Sequence, residues 1–253
     1  MMLLRIGLLM TSIFGMASVL SQSIEEFIAA AEQGDSTAQY NLGYLYDRGL
    51  GVIEDDAAAV EWYRLSAEQG NAGAQANLGV MYSEGYGVVE DDEVAAYWFQ
   101  LAAEQGLGIA QYNLGLTYMR GRGVEENDST AVEWYLLAAQ QGLVGAQFNL
   151  GLMYHRGIGV EQSDSEATRW FLAAAVQGDA GAQFNLGAKY AQGRGLPQDY
   201  MRAYSWISLS NSQDYSGASE SLDILKEKLT PDQLVAAYQW AFDCFLSEYT
   251  ECD

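Results

Sequence analysis

A chain of 253 residues that is 49% hydrophobic and holds only two prolines can bury a sizeable core and is too apolar to stay disordered. Its 34 acidic side chains outnumber 12 basic ones, for a formal net charge of −22. That field repels phosphate backbones and anionic lipid and so argues against nucleic-acid and membrane-surface binding. The same charge favours basic partners, or solubility in a salty extracytoplasmic space.

The N-terminus reads as an export signal. Arg5 supplies the positive start, and the run from Ile6 to Leu20 is apolar apart from Thr11, Ser12, Gly15 and Ser18. At about 15 residues that run is shorter than the roughly 20 of a spanning helix. Cleavage after Ser21 leaves a periplasmic or secreted protein that does not engage the membrane; retention would leave an anchor. No cysteine lies nearby to accept lipid. Residues 22–30 then form an N-terminal capping half-repeat, opened by the capping-box pattern Ser23-Ile24-Glu25-Glu26.

From Ala31 the chain repeats with a period of 36, in units 31–66, 67–102, 103–138, 139–174 and 175–210. Thirteen positions are identical in all five units. In the first they are Ala31, Gln33, Gly34, Ala38, Gln39, Asn41, Leu42, Gly43, Tyr46, Gly49, Gly51, Ala59 and Trp62. Ala38, Leu42, Tyr46 and Gly49 share one face of a first helix near Ser36–Arg48. Glycine costs about 1 kcal/mol relative to alanine in a helix interior, so the recurrent Gly43 implies close approach by a neighbouring helix backbone. Gly49-Leu50-Gly51 ends the helix. A second helix starts at Asp55, Asp91, Asn127, Ser163 or Asp199, all good N-cap residues, and carries Ala59, Trp62 and Ser66 at helical spacing. Hairpins of this kind cannot bury both apolar faces alone and must stack.

The pattern Ala74, Leu78-Gly79, Tyr82, Gly85-Tyr86-Gly87-Val88, Asp91, Ala95 and Trp98, repeated in register over residues 31–210, resembles the Sel-1-like repeat family, a relative of the tetratricopeptide repeat. The resemblance implies an all-α fold: a right-handed α-α superhelix, or solenoid, of helix-turn-helix repeats acting as a protein–protein interaction scaffold. Residues 211–253 read as C-terminal capping helices: a degenerate helix over 216–229, then one near Pro231–Ser247 announced by Thr230-Pro231-Asp232-Gln233. Outer positions of that cap are expected to be polar.

No catalytic constellation stands out. The single histidine, His155, has no second histidine to pair with, and the Gly-x-Gly turns follow helices rather than strands. Acidic loops such as Glu90-Asp91-Asp92 are accounted for by helix capping. The reading is therefore no catalytic residue, no metal and no cofactor. Cys244 and Cys252 are too far apart to bridge on one continuous helix, about 12 Å, and close enough if the chain turns back. The alternatives are a disulfide or two free thiols. Some cysteine-rich Sel-1-like proteins join helices at such a spacing and have been linked to β-lactam binding or hydrolysis, which makes a cell-wall or β-lactam hydrolase the alternative function; here no repeat unit holds a cysteine.

In solenoids of this type the first helices line the concave face. The exposed positions there are expected to be those of Tyr40, Tyr44, Asp47 and Arg48, whose copies vary between units. Candidate partner-binding residues are Tyr40, Tyr44, Arg48, Tyr112, Arg120, Phe148, His155, Arg156 and Phe184. The arginines suit a carboxylate on a protein or peptide ligand. Asn41 and its copies read either as clamps on a ligand backbone or as an inter-repeat ladder. The protein is expected to be a monomer.

Overall fold

The computed structural model describes residues 24–249 and residue 252. The export-signal reading over residues 1–21 and the capping-box residue Ser23 lie outside the described residues. Those described form thirteen helices and no strand, the all-α solenoid arrangement of stacked hairpins. The chain divides into two compact units, 1–127 and 128–253.

The first unit contains α1 (Ile24–Glu32), α2 (Ser36–Arg48), α3 (Asp56–Glu68), α4 (Ala72–Glu84), α5 (Asp92–Glu104) and α6 (Gly108–Arg120). Local chemistry sets the boundaries. Asp35 and Asn71 accept hydrogen bonds from the Ala38 and Ala74 amides, and Asp55 and Asp91 do the same for Ala58 and Val94. Gly49, Gly85 and Gly121 close α2, α4 and α6 in the left-handed conformation. The loop then folds back so that the Asp55 amide donates to the Tyr46 carbonyl, as Asp91 does to Tyr82.

Packing follows from the small residues. Gly43 and Gly79 lie beneath the rings of Tyr63 and Phe99; a Cβ on either glycine would sit 2.7 or 2.6 Å from a ring carbon. The nearest neighbour is a side chain, and at Gly79 the Ala95 carbonyl of the facing helix also lies 3.2 Å from that Cβ, so the helix backbone approaches closely as expected. Ring burial worth about 2 kcal/mol offsets the helical glycine. The residue after the invariant tryptophan is the fully buried one: Tyr63 and Phe99 are in the core, while Trp62 is half-buried against Ala31, Ala38 and Leu42. Gly87 has positive φ and lies on the backbone of Asp56, at the start of α3, and Gly123 lies likewise on Asp92 of α5. The second glycine of each turn is therefore an inter-repeat contact as well as a turn.

The second unit holds α7 (Asp128–Gln140), α8 (Val144–Arg156), α9 (Asp164–Ala175), α10 (Ala180–Gln192), α11 (Tyr200–Asn211), α12 (Ala218–Lys226) and α13 (Pro231–Leu246). It repeats the same devices: Gly151 lies under Phe171, Gly187 under Ile207, and Gly195 on the backbone of Asp164. Thr230 and Gln233 form a reciprocal capping box, with proline in the first turn of α13. On that helix Ala237, Ala241 and Cys244 are buried, and Trp240 packs edge-on against Trp206 of α11. A disulfide joins Cys244 to Cys252, whose Cα atoms are 4.9 Å apart. The outer face of α13 is not polar as expected: it exposes Val235, Tyr238, Phe242, Phe245 and Leu246. Its buried face consists of small residues, and of the large apolar ones Tyr238 leans on α11, its ring edge-on to Tyr204 and its hydroxyl accepting from the Tyr204 hydroxyl.

Candidate interaction surfaces

The invariant polar residues are spent on stacking. The Gln39 side-chain amide donates to the Ala31 carbonyl, at the end of the preceding helix, and the bond recurs from Gln75, Gln111, Gln147 and Gln183 at 3.0–3.2 Å. The side-chain oxygen of each of four of these glutamines accepts from a glutamine thirty residues on: Gln69 to Gln39, Gln105 to Gln75, Gln177 to Gln147 and Gln213 to Gln183, at 2.7–3.0 Å. Each such glutamine thereby ties up an orphan carbonyl at a helix end and bridges to the next repeat. The ladder runs through glutamines, which sequence reasoning missed; its signal was the joint invariance of Gln33 and Gln39. Asn77, Asn113 and Asn149 are buried, and Asn185 donates to the Gly181 carbonyl of its own helix. Asn77 bonds to Tyr40 and Tyr63 of the preceding repeat, which is the inter-repeat alternative at that position.

The candidate partner residues divide into two groups. Tyr40 and Tyr112 are 5% and 3% exposed, and Asp47 is buried too, so the expectation of exposure fails for them. The reason is visible at Tyr40: its ring packs 5.9 Å from the Tyr63 ring and covers Gly73 of the next repeat. Burial raises its hydroxyl pKa to about 12. Phe148 is half-buried in the same manner, between Phe171 and Gly181, and Phe184 packs against Tyr215. The aromatic position is a joint between repeats before it is anything else. Arg48, Arg120 and Arg156 are exposed at the last turns of α2, α6 and α8, where a cation also suits the helix dipole. Tyr44 is half-buried beneath Arg48, whose guanidinium carbon lies 5.8 Å from the ring centre.

His155 belongs to a cluster that the sequence did not announce. Lys189, on α10, is 3% exposed; its Nζ lies 2.8 Å from His155 Nδ1 and donates to Asp164 Oδ1. Arg194 Nε donates to the other Asp164 oxygen at 2.9 Å. Desolvation first, and the Lys189 charge second, hold the His155 pKa below its ordinary 6.5. The hydrogen bond from Lys189, then that from Arg194, hold Asp164 below the ordinary carboxylate value. In the first unit the corresponding positions are Ser83, Asp92, Thr117 and Arg122. There Arg122 makes a two-pronged contact with Asp92 at 2.8 and 3.0 Å, reaches Glu90 at 3.1 Å and donates to the Ser83 carbonyl at 3.0 Å.

Five consecutive Sel1 repeats match the chain, at residues 36–71, 72–107, 108–143, 144–179 and 180–215. Among solved structures, c5321, a protective antigen present in uropathogenic Escherichia coli strains and displaying an SLR fold, is 40% identical with a TM-score of 0.80. The likeness covers 88% of this chain and 49% of that one, so the chain spans about half the antigen's length. A Sel1 repeat protein from Oxalobacter formigenes is 37% identical with a TM-score of 0.69, over 75% of this chain and 76% of that one. No curated protein matches the chain. With five repeat matches in register and the stacking residues of each in place, the chain belongs to the Sel1 repeat family.

Proposed function

We propose that the chain is an exported, non-catalytic scaffold that binds another protein or a peptide through residues that differ from repeat to repeat. Sel1 repeat proteins as a family are interaction scaffolds. The observation that carries the reading is the division of labour within each repeat. The glutamines, glycines and buried aromatics are committed to stacking, whereas the last turns of the first helices present Arg48 with Tyr44, Arg120, and Arg156 to solvent. Arginine on an otherwise acidic chain selects a ligand that offers a carboxylate locally. Export rests on the apolar N-terminal run, and likeness to a protective antigen of uropathogenic Escherichia coli strains supports it.

The test is a comparison of partners. The full chain, immobilised, is exposed to envelope extract beside an Arg48→Ala, Arg120→Ala, Arg156→Ala variant whose helical content matches wild type. At least one wild-type partner should fall about tenfold on the variant, the loss of about 1.4 kcal/mol. Identical partner sets on both would sink the proposal. Osmotic-shock fractionation tests export separately, by release of a shortened chain.

A further inference from the structure

The strongest unabsorbed feature is the outer face of α13. Val235, Tyr238, Phe242, Phe245 and Leu246 are 69, 52, 56, 52 and 62% exposed, at steps of three, four, three and one along the helix, so they form one stripe about 16 Å long. Scattered exposed apolar residues need no explanation; five on one face of one helix do. Beside the stripe lies a groove of about 350 Å³ between α11 and α13, lined by Ser208, Leu209, Ser212, Tyr238, Ala241, Phe242 and Phe245 among others. The Ser208 hydroxyl there is buried with no hydrogen-bond partner among the described residues. The groove runs along the line where α13 packs on α11.

Charge selects the occupant. Asp232 and Asp243 follow the stripe along its flank, and residues 211–249 hold seven acidic side chains against two lysines and no arginine. One of those lysines, Lys226, is held by Asp223 at 3.0 Å. A second copy of this chain seated on the stripe by two-fold symmetry would bring the same acids face to face on a molecule of net charge −22. A helix with an apolar face and basic flanks meets both requirements.

We infer that the α11–α13 groove binds an amphipathic, basic helix of another protein, seated on Tyr238, Phe242 and Phe245 with its cations against Asp232 and Asp243. This surface is separate from the arginine-bearing turns above and stands or falls independently of them.

The probe is a synthetic leucine/lysine peptide of about five helical turns, compared with a scrambled peptide of the same composition and with a leucine/glutamate version. Binding to the full chain is measured by fluorescence anisotropy near physiological salt, where diffuse attraction is screened beyond about 8 Å. The leucine/lysine helix should bind at least about tenfold more tightly than either control, and Phe242→Ser with Phe245→Ser should remove that preference. Both phenylalanines are more than half exposed, so the variant should fold. Asp232→Lys with Asp243→Lys should shift preference toward the glutamate peptide, a gain that a misfolded variant would not show. Equal binding of the scrambled peptide, or unchanged binding by the phenylalanine variant, would show bulk attraction to an acidic protein and overturn the inference. A concentration-dependent dimer in sedimentation, abolished by the phenylalanine variant, would overturn it in favour of a second copy.

Discussion

Of four equivalent positions in the two units, two hold the same aspartate and arginine and two are filled differently. In the first, Ser83 and Thr117 are small, Arg122 grips Asp92 with two nitrogens, and a void of about 10 Å³ remains among them. In the second, His155 and Lys189 replace the two hydroxyl residues, and Asp164 divides its oxygens between Lys189 and Arg194. A slot that is apolar or neutral in other repeats, at Leu45, Met81 and Met153, thus accepts a lysine because the preceding repeat supplies the counter-ion. The repeat specifies a volume and a boundary; the charge inside is negotiated between neighbouring hairpins. Removing one partner of a buried pair is costly, whereas removing both, or replacing the cation by an apolar side chain of like shape, is not.

The largest effect should fall equally on both units and so sets the baseline for the comparison. Gly123→Ala and Gly195→Ala each place a Cβ on the backbone of the preceding repeat at positive φ, +70° and +80°. Each should cost about 3 kcal/mol, read as a lower urea midpoint. Costs that differ by more than about 1 kcal/mol would mean that the two turns are not equivalent contacts.

The ion pairs should then separate the units. Asp164→Asn leaves Lys189 buried without its carboxylate and should cost about 2 kcal/mol. Asp92→Asn, by contrast, frees an Arg122 that is a third exposed and still held by Glu90 and the Ser83 carbonyl, and should cost under about 1 kcal/mol. Equal losses in urea denaturation would erase the distinction.

Much of the fold was legible because its determinants are local. The capping residues Asp55, Asp91, Ser163 and Asp199 accept the amide hydrogen bonds read from their positions, and the turn glycines take the left-handed conformation. What stayed hidden lies between repeats. An amide thirty residues from its acceptor leaves no periodic trace beyond invariance, so Gln33 and Gln39 stand out only as invariant positions and their ladder is invisible. Tyr40 and Phe148 fill a joint against Gly73 and Gly181 of the next repeat, although the position varies in type, and variation alone cannot tell a joint from a ligand surface. Nothing in the sequence singles out Lys189, because its burial depends on Asp164, twenty-five residues upstream. On α13 the stripe was present in the sequence, but a rule about polar caps took precedence over a count of its exposed positions.

Lys189→Met supplies the complementary test. Methionine fills the same slot at Met81 and Met153, so the variant keeps volume while deleting the buried charge. Asp164 retains Arg194 and is partly exposed, so no uncompensated ion is left. Stability should stay within about 1 kcal/mol of wild type, in either direction. A loss as large as that of Asp164→Asn would show that the lysine contributes to the fold beyond occupying space.

The smallest effect concerns pH and is confined to the second unit, because His155 is the sole histidine and Ser83 stands in its place in the first. Burial and the adjacent Lys189 charge depress its pKa, so below the ordinary 6.5 the unfolded chain takes up a proton that the folded chain resists. Linkage then requires stability to fall as pH drops through 6.5, and to level off once the folded histidine is also protonated. Asp164 acts in a separate window: its depressed pKa contributes stability present above 3.8 that is lost only as pH falls through the lower folded value. Urea midpoints between pH 7.5 and 5.5 (about one unit either side of the histidine value) should therefore decline in wild type and stay flatter in His155→Gln. Lys189→Met removes the charge but not the burial, so it should reduce the slope without abolishing it; an unchanged slope would assign the shift to desolvation alone.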